Sequence, residues 1–229
     1  MMHASSLLLL ILLLAAGPAG TQADAGAPPE RTCAEEIALR VQGHYESVRD
    51  LTADFVQTSR VVSLGQDAGR GTRAGGQVIF AKPGRMRWAY REPEESLVVT
   101  DGKVLWTWDP GLGEAQRVAV AAGFLSGAAI QFLLGEGAVL ESFEVTADRC
   151  EGPRVTLRML PLDPASYERL QVEVDPKAGI VHATEVVDLF GNVTRIEFAK
   201  IRTNTSPDDS LFGFEPPEGA RVIEIPGAP

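Results

Sequence analysis

The sequence predicts a mainly β protein, an antiparallel meander that closes or curls into a barrel, with one N-terminal helix and one apolar helical insertion. Three observations carry this reading. Between Leu51 and Ile201, apolar and polar residues alternate with period two in short runs. Turn pairs such as Pro83-Gly84 and Asp101-Gly102 separate the runs. Gly (23) and Pro (15) are frequent while aromatics make up only 7%, a composition suited to many short elements. A length of 229 residues fits one domain, and 45% hydrophobic residues supply a sizeable core.

In chain order, Leu7 to Ala16 reads LLLLILLLAA, too short to span a bilayer. Gly17-Pro18 and a run of small residues follow, and Ala23-Asp24-Ala25 offers an A-x-A site. This is the pattern of a secretory signal peptide cleaved near Ala25. The n-region MMHASS lacks Lys and Arg, so an uncleaved anchor is the alternative reading. Cys33 follows Glu30-Arg31-Thr32, which is not a lipobox. The expected layout is residues 1–25 as signal peptide, 26–31 as a flexible segment and 32–225 as one domain.

Thr32 and Glu35 have capping-box spacing, and Ile37, Val41, Tyr45 and Val48 recur at helical spacing, which predicts an amphipathic helix ending near Asp50. A strand begins at Leu51. Gly65 to Gly76 reads as a polar hairpin loop; it lacks the G-K-[ST] ending of a phosphate loop. Strands then follow over 77–81, 85–90, 96–100 and 104–109. Asp-Gly at 101–102 predicts a type I′ turn. Residues 121–140 hold Phe124, Leu125, Ile130, Phe132 and Leu133 among Ala and Gly, a helix-like insertion. Further strands are predicted at 143–147, 154–160, 167–174, 180–188 and 193–201. A meander of about ten strands must close or curl around something, and helices can cover an open side.

The charge balance narrows the function. Lys+Arg number 21 and Asp+Glu 31, a net charge of -10. That disfavours nucleic acid and electrostatic docking on anionic lipid. Beyond the n-region there are two histidines, His44 and His182, and no G-x-S-x-G elbow, HExxH or zinc spacing. No catalytic residue, metal or cofactor is therefore expected. In an exported chain, Cys33 and Cys150 are expected to pair, the alternative being two buried thiols. Met86, Trp88 and Tyr90 alternate with Arg85 and Arg87, which puts the apolar three on one strand face, as core or as cavity lining.

Three segments carry a resemblance to a known family: Ala53-Asp54-Phe55-Val56-Gln57; Phe80-Ala81-Lys82-Pro83-Gly84-Arg85-Met86-Arg87-Trp88; and Pro93-Glu94-Glu95-Ser96 through Thr100-Asp101-Gly102-Lys103-Val104-Leu105-Trp106. Asp188 to Thr194, the strand at Phe198 and Phe212 to Gly219 agree more loosely. Together these segments resemble the periplasmic lipoprotein-carrier (LolA-type) family over about Cys33 to Ile223. The resemblance implies an incomplete, strongly curved antiparallel barrel of about ten to eleven strands, covered by helices around an apolar cavity. It implies a soluble periplasmic chaperone that takes acylated lipoproteins from an inner-membrane release transporter toward the outer membrane, handing them to an acceptor where one exists. The implied cavity and lid residues are Phe55, Met86, Trp88, Phe124, Leu125, Phe132 and Leu133. The family has Arg where this chain has Lys82, and that side chain holds lid helices by backbone hydrogen bonds. Lys donates too, but without the planar fork. The Cys pair is not part of the family pattern.

Acyl chains gain about 0.8 kcal/mol per buried CH₂. Several fully buried chains would exceed the practical affinity ceiling of about 20 kcal/mol. A carrier that releases must bury them partly or divert part of the gain into opening. Two rival readings stay open from sequence: an envelope sensor of hydrophobic ligands on the same fold, and a hydrolase whose site has no recognisable motif.

Overall fold

The computed structural model describes residues 30–62, 71–119 and 137–226. The predicted signal peptide and most of the predicted insertion, including Phe124, Leu125, Phe132 and Leu133, lie outside the described residues.

Helix α1 spans Cys33–Ser47. The capping box forms as its spacing predicts: the Glu35 N–H donates to Thr32 Oγ1 at 3.2 Å and the Thr32 N–H to Glu35 Oε2 at 2.7 Å. Glu35 and Glu36 in the first turn also suit the positive end of the helix dipole. Ala34, Ile37, Ala38, Val41 and Tyr45 form its buried stripe. The helix stops three residues earlier than the sequence predicts, because Val48 turns extended and Asp50 already pairs as a strand residue.

Twelve strands follow: β1 Asp50–Arg60, β2 Thr72–Ala81, β3 Arg85–Glu92, β4 Ser96–Thr100, β5 Val104–Asp109 and β6 Glu114–Ala119. After a single helical turn, α2 (Val139–Ser142), come β7 Phe143–Ala147, β8 Val155–Pro161, β9 Tyr167–Val174, β10 Val181–Asp188, β11 Val193–Thr203 and β12 Arg221–Ile225. They form one sheet in the order β12-β6-β5-β4-β3-β2-β1-β11-β10-β9-β8-β7. Every pairing is antiparallel except β12 on β6. β12 and β7 do not pair with each other, so the sheet is open. One hydrophobic cluster joins α1 to Phe55 and Phe80 on one side and to Leu157, Val172 and Val181 on the other, so the sheet wraps around the helix.

Three local expectations are corrected. The strand count is twelve, because the short polar-rich β6 and the late β12 carry no clear alternation. β2 begins at Thr72, so Gly75 and Gly76 are strand residues. They sit at a register shift against β3, where a Cβ on Gly76 would lie 2.0 Å from the Ala89 carbonyl oxygen. Only glycine allows that approach. The Asp101-Gly102 turn is not type I′, which needs positive φ at both residues. Gly102 has φ +90°, but Asp101 does not enter that region and instead accepts from the Lys103 and Val104 N–H groups. Those bonds hold the Asp101 carboxyl below its usual range against the opposing effect of burial.

The chain from Thr203 to Arg221 straps the outer face. Buried Asp50 anchors its start, accepting from Thr205 N–H (2.6 Å), Thr205 Oγ1 (3.0 Å) and Ser206 N–H (3.1 Å). Phe212, in the 3₁₀ turn Asp209–Phe212, packs on Ile79 and Ala81 beneath the Arg85 guanidinium. Phe214 reaches Trp106 and Trp108. The strap explains why β4 and β5 carry large apolar residues on both faces, with Leu97, Val99, Trp106 and Trp108 on the outer one.

Tyr45 locks α1 to the sheet. Its hydroxyl accepts from the Val181 N–H at 3.1 Å, and burial pushes the phenol up to about 12. Because this lies above the ordinary value of 10, folding strengthens proton binding. The resulting stability is complete below pH 10 and is lost as pH rises through 12, amounting to roughly 2–3 kcal/mol. Tyr45→Phe is expected to cost about 1–2 kcal/mol at pH 8 by orphaning that N–H, and to remove this alkaline loss. Urea unfolding of both proteins at pH 8 and pH 11.5 checks it; parallel pH profiles would contradict it.

Candidate functional site

The candidate site is the inner face of β1 to β6. Period-two alternation sends Phe55 of β1, Phe80 of β2 and Met86, Trp88 and Tyr90 of β3 to that face, where Phe80 pairs with Met86 across the strands. Arg85 and Arg87 point to the outer face, and the Arg87 guanidinium donates to the Leu211 carbonyl there. The aromatics pack edge to face: Phe55 on Trp88 at 4.7 Å, Phe55 on Tyr90 at 5.1 Å and Phe80 on Trp88 at 5.8 Å. The Tyr90 hydroxyl donates to Gln57 Oε1 at 3.0 Å. Burial raises the Tyr90 phenol.

The two halves of the inner face differ. Along β7 to β10, Val145, Leu157, Met159, Leu170 and Val172 are buried in the same cluster as the α1 stripe. That half is filled core. Along β3 to β5, Trp88, Tyr90, Val98 and Leu105 pack against the cluster yet stay half-buried. An apolar floor is therefore left only partly covered on the β3–β5 side. Of the candidate residues, Phe55 and Met86 sit at its root, Met86 at 5% exposure, and Trp88 forms its edge.

Lys82 lies at the β2–β3 turn. Its Nζ donates to the Tyr45 carbonyl at 2.9 Å and the Glu46 carbonyl at 3.3 Å. Two carbonyls of the last turn of α1 are thus satisfied by a cation, which the dipole also favours. The N-terminus of α1 is held separately by the Cys33–Cys150 disulfide, with Cα atoms 6.1 Å apart. The helix is tied at both ends.

The histidines sit elsewhere. His44 is on α1, edge-on to Tyr45, and His182 on β10 beside Arg154 and Asp175. Burial lowers both below the usual histidine value. A groove of about 440 Å³ runs along Thr52, Asp54, Gln77, Lys200 and Arg202. It is charged, with Lys200 paired to Asp54 at 2.8 Å, and lies apart from the apolar floor.

An open, wrapped antiparallel sheet with a helix tied inside it and a half-covered apolar floor is an architecture suited to apolar ligands. Comparison with known proteins narrows the class: residues 46–215 match the family model described as "Outer membrane lipoprotein carrier protein LolA". Proteins named outer-membrane lipoprotein carrier protein from Methylococcus capsulatus and Methylibium petroleiphilum are similar in sequence. The first is 32% identical over 81% of this chain and 86% of the relative, the second 33% over 80% and 87%. The chain belongs to the outer-membrane lipoprotein carrier family. The fold also matches an uncharacterised conserved protein from Thermus thermophilus, at 12% identity and TM-score 0.53, over 85% of this chain and all of that one.

The resemblance gave Lys82 backbone carbonyls of a covering helix as partners, but that the helix is the end of α1, and that α1 fills the β7–β10 half, had no signal in the sequence. Val98 and Leu105 did carry one, since both alternate in register with Trp88 and Met86, but nothing in the alternation separates floor from core.

Proposed function

We propose that this chain carries lipoproteins across the periplasm, holding their acyl chains on the apolar floor of β3 to β5. One observation supports this above the others: in a member of the carrier family, a floor of Trp88, Tyr90, Val98 and Leu105 stays half-buried while the rest of the inner face is filled. The cargo is held and released, not transformed. Partial coverage keeps the acyl chains within the affinity a shuttle can release. The cargo comes from an inner-membrane release transporter and goes to the outer membrane or its acceptor. The chain reaches the periplasm through cleavage near Ala25. Among the described residues no helix is long and apolar enough to cross a membrane. Lys82 acts as a latch: its two bonds to the end of α1 break when the inner face opens.

The test is native purification from the periplasm followed by mass spectrometry of what travels with the protein. Triacylated lipoprotein is expected. Free lipid alone would favour a ligand sensor, and a covalently altered substrate would favour a hydrolase.

A further inference from the structure

The two ends of the sheet are unlike. At one end lie the turns at Lys82–Gly84, Asp101–Lys103 and Asp175–Gly179, all polar, together with the ties to α1: Lys82, the Tyr45–Val181 bond and Cys150. At the other end lie the end of β1 and the β3–β4, β5–β6, β8–β9 and β10–β11 connections, the β3–β4 connection carrying exposed Glu94 and Glu95. Of the nine exposed large hydrophobics among the described residues, six sit in these connections: Val61, Val62, Leu112, Leu162, Leu189 and Phe190.

The most protruding tip is built, not slack. Phe190 is 84% exposed and Leu189 65%. The Asp188 carboxylate accepts from the Phe190 N–H, the Asn192 N–H and the Asn192 side-chain amide, at 2.8–2.9 Å. These bonds hold that carboxyl below its usual value against the opposing effect of burial. Asn192 Oδ1 in turn accepts from the Val62 N–H at 3.0 Å, which joins the end of β1 to the same tip. Gly191 takes φ +82° to close the turn. In sheet order β1, β11, β10, β9 and β8 are consecutive, so Val61, Val62, Leu189, Phe190 and Leu162 run along about 20 Å of one rim.

We propose that this rim dips into the apolar interface of a zwitterionic bilayer, so that the carrier meets the membrane directly. Single apolar tips on ordered turns suit a fluid medium, which accepts protrusions wherever they fall. A protein partner or a second copy would need matching hollows. Arg60 beside Val61 and Asp163 beside Leu162 put both charge signs on the rim, so attraction to anionic lipid is not the driving force. The rim neighbours the floor strands in the sheet, and the Leu112 tip at the end of β5 lies at the same end, so cargo on the β3–β5 floor and the bilayer come to the same end of the sheet. This step extends the carrier reading and rests on it.

The experiment is flotation of the mature protein with phosphatidylcholine vesicles, comparing wild type with the double variant Leu189→Ser, Phe190→Ser. A fatty-acyl fluorescent probe and thermal melting are measured in parallel. The variant is expected to lose about tenfold or more in vesicle partition, since two large side chains leave the interface. Melting temperature and probe binding should stay unchanged, as both residues are exposed and outside the floor. Leu112→Ser, on a separate tip, should lower partition by a smaller factor. Equal partition of wild type and double variant would overturn the proposal. So would flotation only with phosphatidylglycerol, or a lipid-free dimer in sedimentation that the double variant abolishes. Loss of probe binding by wild type itself would instead sink the carrier reading.

Discussion

Opening the Cys33–Cys150 bridge is expected to destabilise the protein by about 5 kcal/mol, from the chain entropy of closing a loop across 117 residues. For a domain of this size that lowers the melting temperature by roughly 10–20 °C. The bridge also fixes the first residue of α1 to the β7–β8 connection, so its loss frees the end of the helix that Lys82 does not hold. Melting of Cys33→Ser, Cys150→Ser beside wild type, with and without reductant, checks this. The native protein should show no alkylatable thiol until reduced. A melting temperature unchanged by reductant would contradict the account.

Met86→Glu carries the second large effect. Met86 is 5% exposed, packed in the cluster with Phe80 and paired across strands with Thr100. Among the described residues Met86 sits in a cluster of apolar side chains, and an uncompensated buried charge there costs about 3–5 kcal/mol. The same burial would raise the new carboxyl's pKa, so the loss should be full at neutral pH and shrink as acid neutralises it. Met86→Leu, which keeps volume and polarity, should cost under about 1.5 kcal/mol. Melting at pH 7.5 and pH 5 separates the cases. A Met86→Glu protein that melts like wild type yet fails to bind acyl chains would place Met86 in an open cavity rather than at the root of the floor.

Much of this architecture was legible in the sequence because its signals are local. The Thr32–Glu35 box set the start of α1, and the alternation from Arg85 to Tyr90 assigned each side chain to its face. Interactions between distant residues were not legible. The strap's use of Phe212 and Phe214 on the outer face, the Asp50 anchor and the choice of α1 as the helix that Lys82 holds join residues from 36 to 156 positions apart. β6 and β12 escaped notice because one is short and rich in polar residues and the other forms only by pairing across more than a hundred residues. The candidate site was legible as a face, through Phe55, Met86 and Trp88. Its division into a filled and a half-covered part depends on where α1 packs, and helical periodicity says only that the helix buries a stripe.

In the proposed carrier, acylated cargo lies on the β3–β5 floor. The most direct test of this placement is the native co-purification with a photo-crosslinking phenylalanine derivative at Leu105, on the floor, or at Arg117, beneath Trp106 on the outer face. After irradiation in the periplasm, the Leu105 position is predicted to capture acylated lipoproteins, identified by mass spectrometry of the adduct, while the Arg117 position captures none. Adducts of equal yield at both positions, or acylated cargo captured at Arg117 alone, would contradict it.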